Sequence, residues 1–214
     1  MKKLILISIL LIVGCGITKA QFINSYGLKL GIVNAKQDWS YSNPILTNVL
    51  PKSITNLFIG GYFIHQFSPK LYLRSGLEYM TKGAKSEILE VWGDTGGVPI
   101  DTFTSSLHLY YLSVPFQLKY IHKYQNNNFY GLMGFKYDIL INKEGDWIGG
   151  DIFENLNNSE YCLTYGLGVM KEIKKYNVGL EISNSYPLSS VYSTDRLEIK
   201  NFTTDVSLLM QLHP

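Results

Sequence analysis

The chain has 214 residues, with 19 lysine and arginine residues against 17 aspartate and glutamate residues, and it is rich in tyrosine, with 16 copies. This length suits one domain, and the nearly balanced charge excludes the strongly basic surface that nucleic-acid binding requires. Tyrosine is enriched where an apolar surface meets water, as at the two faces of a membrane.

The N-terminus predicts a secretory signal peptide over residues 1–20. Lys2 and Lys3 precede an apolar run, Leu4–Val13, which is too short for a transmembrane helix of ~20 residues. Small residues before Gln21 favour cleavage after Ala20.

A second interpretation of the same segment uses Cys15. The stretch Ile12–Cys15 loosely resembles a lipoprotein box, so the mature chain could instead begin at a lipidated Cys15. Cleavage after Ala20 leaves 16 basic residues, 17 acidic residues and the single cysteine Cys162, which excludes an internal disulfide.

Residues 21–214 are predicted to form one all-β domain, because eight segments alternate apolar and polar residues with the period of two that a strand requires. None of these segments approaches the ~20 consecutive apolar residues of a transmembrane helix. The predicted strands are 26–38, 54–67, 71–82, 106–122, 129–141, 160–171, 176–185 and 198–212.

The alternation also predicts which face of each strand is apolar, except in the second strand, where apolar residues occupy both faces. Pro115 removes a backbone donor inside the fourth strand, which predicts a bulge or bend there. In that strand the residues predicted to meet lipid are Leu112, Val114, Phe116 and Leu118, and Gln117 and Lys119 lie on the opposite face.

Short and long connections alternate along the chain. Short polar turns are predicted at residues 68–70, 124–128 and 174–175, and long ones at 92–101, 143–159 and 187–196. This order is typical of a closed antiparallel up-and-down transmembrane β-barrel, with turns on one side of the bilayer and loops on the other. Closure leaves no unpaired strand edge in lipid. A barrel of eight strands has an interior that side chains can fill, so a wide pore is not expected.

A soluble lipocalin-like barrel is the main alternative fold, since it is also secreted and up-and-down. Its apolar face would point inward. Glycine and charged residues share one face of several predicted strands, and aromatic residues recur near strand ends, and both features favour a membrane barrel with a polar lumen.

Eight charged residues are predicted on the inner face. Charges inside a narrow lumen must be paired, because an isolated buried charge is very costly. The sequence favours a salt-bridged plug over a gate or a proton path. The predicted lumen network consists of Lys29, Arg74, Glu78, Lys119, Lys136, Asp138, Glu181 and Asp205.

No catalytic, metal or cofactor motif is evident, so no enzyme activity, metal or cofactor is expected. A rim-site enzyme is the weaker alternative, with His108, Asp94, Asp101 and Ser105 as the residues that could approach the loop end. The long connections around Trp92 and Trp147 offer aromatic surface for binding a partner, although either tryptophan could equally be an interfacial anchor.

The segment YLSVPFQLKY, residues 111–120, resembles a strand of PorT-like outer-membrane β-barrel domain proteins, whose pattern is roughly YLEIPLLLKY. Residues 76–83, 129–131 and 166–168 resemble neighbouring strands of the same family. The chain departs from the family at Ser113, where glutamate is usual, and it lacks a terminal aromatic residue. The resemblance implies an outer-membrane location, contact with membrane lipid, and an anchoring role with an envelope or secretion partner. A small passive transport barrel is the alternative function.

Overall fold

A computed structural model describes residues 23–42, 51–91, 99–145 and 154–212, with side chains described except at 87–91 and 99–103. This part of the chain contains nine strands. They are β1 (Ser25–Tyr41), β2 (Ile54–Gln66), β3 (Leu71–Val91), β4 (Pro99–Tyr124), β5 (Asn127–Gly145), β6 (Ser159–Ile173), β7 (Tyr176–Pro187), β8 (Tyr192–Ser193) and β9 (Leu197–Leu212).

Eight of these strands form a closed antiparallel barrel. Each strand pairs with the next in sequence, β9 follows β7, and β9 closes the ring by pairing with β1 from Tyr26–Leu212 to Tyr41–Leu197. The short β8 pairs only with the start of β9. The predicted eight-stranded up-and-down barrel is therefore confirmed, and β8 was not predicted.

The described residues include no helix that is long and apolar enough to cross a membrane.

The outer face of the barrel is apolar and the inner face is polar, as the alternation predicts. On β1, Leu28 and Leu30 are 64% and 53% exposed, whereas Lys29 between them is 3% exposed. On β4, Phe116 and Leu118 face outward and Gln117 is buried. A soluble barrel buries its apolar face, so the lipocalin alternative is wrong. An apolar outer face suits lipid as the surrounding solvent.

Aromatic side chains border this apolar band at both ends. Toward the long connections, outward aromatic pairs join neighbouring strands, with ring centroids 6.3 Å apart for Tyr79–Tyr110, 4.9 Å for Tyr137–Tyr161 and 5.3 Å for Tyr186–Phe202. Toward the short turns, the exposed aromatic side chains include Tyr26, Tyr120, Phe129 and Tyr176. These two rows correspond to the girdles that mark the membrane interfaces of outer-membrane barrels.

Two predicted boundaries are wrong at the loop end of β3 and β4. β3 continues to Val91 and β4 begins at Pro99, so Asp101 lies in a strand and the connection is shorter than predicted. The paired part runs from Met80–Tyr111 to Val91–Pro99 beyond the girdle pair Tyr79–Tyr110. At about 3.3 Å per residue, this hairpin extends roughly 40 Å along the strands past the girdle.

The predicted irregularity at Pro115 is found in a different form. The β3–β4 register has no pairs between Ser75–Phe116 and Glu78–Ser113, so the ladder is interrupted beside Pro115 without a shift in register. The β4–β5 register shifts between Tyr110 and Tyr111, and the extra residue there is Ile141 on β5, so this bulge is in the neighbouring strand. The proline therefore removes hydrogen bonds locally without bending the strand out of register.

Several predictions concern residues outside the described ranges. These are the signal peptide over residues 1–20, the alternative lipidation at Cys15, and the two long connections at Trp92 and Trp147.

Candidate functional site in the barrel lumen

The structure places all eight residues of the predicted lumen network on the inner face, and each is at most 8% exposed. Two further buried charges, Lys82 and Glu160, were missed by the sequence analysis. Among the described residues the buried charges are therefore five cations and five anions: Lys29, Arg74, Lys82, Lys119 and Lys136, against Glu78, Asp138, Glu160, Glu181 and Asp205.

A central cluster joins β1, β3, β7 and β9. Lys29 Nζ lies 3.4 Å from Glu78, 3.3 Å from Glu181 and 3.1 Å from Asp205. Arg74 forms a bidentate pair with Glu181, with nitrogen–oxygen distances of 2.5 and 2.9 Å. Each of the two terminal guanidinium nitrogens thus donates to a different carboxylate oxygen, which is the paired arrangement that a buried ion pair requires.

Neutral side chains connect the central cluster to β4, β5 and β6. Arg74 donates to Gln117 Oε1 at 2.7 and 3.0 Å, and Gln117 donates to Thr164 Oγ1 at 2.9 Å. Tyr130 donates its hydroxyl to Glu181 at 2.8 Å. A Cβ at Gly168 would overlap the Tyr130 ring, so glycine on β6 makes room for this contact. The cluster thus fills the cross-section of the barrel.

A second cluster lies nearer the loop end. Lys82 Nζ donates to Asp138 at 2.6 Å and to Glu160 at 2.8 Å. Glu160 also accepts hydrogen bonds from Tyr111 at 2.9 Å and from Asn201 at 2.6 Å. All of these side chains are buried, so this upper cluster forms a second polar layer across the lumen.

The upper cluster contains three groups with metal-ligating atoms. Atoms of Asp138, Glu160 and Cys162 lie within 4.8 Å of one another. The Lys82 ammonium donates to both carboxylates at hydrogen-bond distance, so a cation already occupies the position that a metal ion would take. Charge balance is achieved by the protein's own lysine, and these residues do not fit a metal site.

Apolar layers lie beyond the two charge clusters. Toward the loops, inward residues of β4 and β9 pack with Leu156 and Val191 from the connections, and this apolar cap includes Leu107, Leu109, Leu197 and Ile199. Met80 belongs to the same apolar group but lies between Glu78 and Lys82 on β3. Toward the short turns, a smaller group contains Tyr62, Ile64, Tyr130, Leu132, Met170 and Leu209. In the described part of the chain, apolar side chains therefore close the lumen beyond each of the two charge clusters.

Two lysines differ from the others. In the described part of the chain Lys119 and Lys136 form no ion pair, and each directs its ammonium at a methionine sulfur, 3.5 Å away at Met170 and 3.7 Å away at Met80. Lys136 shares its strand face with Asp138. Lys119 instead lies over the Tyr130 ring, 3.7 Å from the centroid.

The structure describes the side chains of two of the four residues of the rim-enzyme hypothesis, Ser105 and His108. Ser105 is buried on the inner face of β4, whereas His108 lies on the outer face of the same strand. Alternate strand residues point to opposite faces, so these two side chains cannot act as a nucleophile and its base. Asp94 lies outside the described residues, as does the side chain of Asp101.

Comparisons with known proteins show the fold. No protein-family model and no curated sequence matches the chain, so the PorT-like resemblance remains an expectation. The structure is similar to the outer membrane protein OprG from Pseudomonas aeruginosa, with a TM-score of 0.54 and 8% identity over 90% of this chain and 97% of that chain.

Two further solved structures align over most of their length with lower scores. Neisserial surface protein A aligns with a TM-score of 0.48 and 10% identity over 88% of this chain and 97% of that chain. The outer membrane protease OmpT from Escherichia coli aligns with a TM-score of 0.43 and 7% identity over 92% of this chain and 99% of that chain. The similarity to OprG, together with the closed ring of strands, shows that the chain has the fold of an outer-membrane β-barrel.

Proposed function

We propose that this protein is an integral outer-membrane barrel whose lumen is closed to ions and solutes, and which serves as an anchor for interactions at its loop end. Among the described residues, five cations and five anions are buried on the inner face, and their two ion-paired clusters lie between two apolar layers; this packing is the observation that best supports a closed lumen. A water-filled pore would leave such charges solvated, as in wide barrels.

The β3–β4 hairpin is the proposed interaction surface. Beyond the girdle its outer face is polar, with Lys85 and Thr104 exposed. At the same end of the barrel, Glu198 on β9 accepts hydrogen bonds from Lys200 and Ser190, which lower its pKa. A rigid paired hairpin standing clear of the membrane suits recognition by an envelope or secretion partner, because binding residues are usually held on loops above a rigid scaffold.

Two alternative functions receive less support. A rim-site enzyme would need a nucleophile and a base on one face, and Ser105 and His108 lie on opposite faces. A small passive transport barrel would need a continuous path through the lumen, past the Arg74–Glu181 pair and the Lys82 cluster.

Planar-bilayer conductance tests the closed lumen. The purified wild-type protein is expected to give no steady ion current under conditions in which a known porin conducts. The double variant Arg74→Ser/Glu181→Ser keeps the lumen electroneutral while it opens the central cluster. It is also expected not to conduct, because the apolar cap that contains Leu109 remains in place.

A steady current through the wild-type protein would overturn the proposal. If that current also changed in the double variant, the conducting path would run through the central cluster, and passive transport would become the better description.

A further inference from the structure

A cavity of about 730 Å³ opens at the short-turn end of the lumen, and we call it the vestibule. Inward side chains from the strand ends form its wall, and turn residues form its rim. Among the lining residues, the lysines outnumber the acids, with Lys70, Lys119 and Lys123 against Glu172. Glu172 lies 3.9 Å from Lys123, so these two charges partly offset each other, and the rest of the vestibule remains positively charged.

Lys119 is the lining residue that points to a ligand. Its side chain is on the inner face of β4 and the residue is 1% exposed. An ammonium group has three donors, and here the acceptors are a thioether, Met170, and the ring of Tyr130. Both are weak partners for a buried charge, which normally needs an anion or several strong acceptors.

Three of the other buried cations among the described residues show what is missing at Lys119. Lys136 also forms no ion pair there, but it shares its strand face with Asp138. Lys29 and Lys82 each lie within ion-pair distance of two or more carboxylates, and Arg74 has a bidentate partner. An anion that enters the vestibule and reaches Lys119 would supply the corresponding partner there.

The vestibule ends inside the barrel. Tyr130, whose ring lies against Lys119, donates its hydroxyl to Glu181 of the central cluster. The floor of the vestibule is therefore attached to the packed lumen, and a solute that binds there does not pass through.

We propose that the vestibule is a binding site for a small water-soluble oxyanion, in which a phosphate or carboxylate group of the solute contacts Lys119 Nζ and Lys70 and Lys123 attract it at the rim. Lysine binds such groups as a point charge. In the orientation of outer-membrane barrels the short turns are periplasmic, so the solute would come from the periplasm.

Calorimetric titration of the folded full-length protein in detergent tests this site with three related solutes. Glycerol 3-phosphate and glycerate carry the two candidate anionic groups on a similar carbon frame, and glycerol carries none. Saturable binding of one or both anions is expected, without binding of glycerol. The stronger of the two anions identifies whether phosphate or carboxylate is preferred.

The variant Lys119→Met keeps the length of the side chain and removes its charge. It is expected to weaken binding about tenfold to a hundredfold, the usual range for a lost charge-assisted hydrogen bond. Lys175→Met is the matched control, since Lys175 is an exposed lysine in the β6–β7 turn at the same end and does not line the vestibule. This control should bind as the wild type does.

The double variant Lys70→Met/Lys123→Met keeps the test valid if Lys119→Met fails to fold, because both residues are at the rim, outside the packed layers. It is also expected to weaken binding. The proposal is wrong if the wild type shows no saturable anion binding, if glycerol binds equally well, or if folded Lys119→Met binds with unchanged affinity. Conductance measurements decide the closed lumen separately, so the two proposals can fail independently.

Discussion

At the scale of single residues, Lys82 illustrates how strongly the lumen depends on paired charge. Its ammonium is buried between Asp138 and Glu160, at 2.6 and 2.8 Å. Lys82→Met leaves two buried carboxylates without the ammonium that donates to both of them, and it is expected to lower the free energy of unfolding by about 3–5 kcal/mol. Urea titration of the refolded barrel in detergent measures this loss.

Lys85→Met is the matched control for that variant, because Lys85 lies three positions further along β3 and is exposed on the outer face. Its effect should stay within about 0.5 kcal/mol, as for most surface substitutions. Adding Asp138→Asn and Glu160→Gln to Lys82→Met should recover part of the lost stability. Equal losses for the two lysine variants would contradict the role given to the upper cluster.

The residues of the lumen could be predicted only in part. The period of two on β3 placed Arg74 and Glu78 inward, and the same parity continued by four positions gives Lys82. Glu160 shares the parity of Cys162 but lies at the end of its strand, where a sequence boundary is least certain. Which charges meet across the barrel, such as Arg74 with Glu181, depends on strand stagger, and the sequence contains no direct signal for it.

At the scale of the strands, the hydrophobic pattern reverses where β4 leaves the membrane. Within the apolar band Val114 and Phe116 point outward, whereas beyond the girdle Leu107 and Leu109 point inward into the cap. The outer face there is exposed to water, so it becomes polar. A rule that places apolar residues on one face of the strand therefore fails where β4 crosses the membrane interface. This explains why the length of the β3–β4 hairpin was underestimated.

Arginine substitutions on the outer face of β4 test the position of the membrane. Val114 lies between the aromatic residues Tyr110 and Tyr120 on the outer face, and Thr104 lies on the same face above the girdle. Val114→Arg is expected to make folding into lipid less favourable by about 2–4 kcal/mol, and Thr104→Arg by about 0–1 kcal/mol. Folding titrations in lipid vesicles measure both.

Gln117→Arg is a poor lumen control for this pair, because Gln117 accepts hydrogen bonds from Arg74 and a second guanidinium would be placed beside the first. Equal costs at positions 114 and 104 would mean that the apolar band does not face lipid.

At the scale of the whole molecule, the barrel is a stack of layers that different parts of the chain supply. The strands alone provide the two charge clusters, whereas the cap also needs Leu156 and Val191 from the connections. A connection gives no periodic signal, so its contribution to the seal could not be predicted from the sequence. The cap also contains Leu107 and Leu109 of β4, which lie between the barrel and the outermost part of the β3–β4 hairpin.

Replacing residues 87–104 of that hairpin by a short turn should therefore separate the membrane anchor from the proposed interaction surface. Ser86 pairs with Ser105, so a two-residue Asn-Gly turn that joins these positions keeps the register of β3 and β4 and leaves Leu107 and Leu109 in place. The trimmed protein is expected to fold, with the heat-modifiable gel migration of a closed barrel, because the four layers of the lumen are intact. A photo-crosslinking residue is then placed at position 85, which the trimmed chain retains, and crosslinks to the partner are compared in cells. If the removed residues hold the partner, the crosslinks of the full-length protein should be lost in the trimmed protein. Retained crosslinks would place the interaction elsewhere at the loop end, and failure to fold would show that the hairpin belongs to the folding unit.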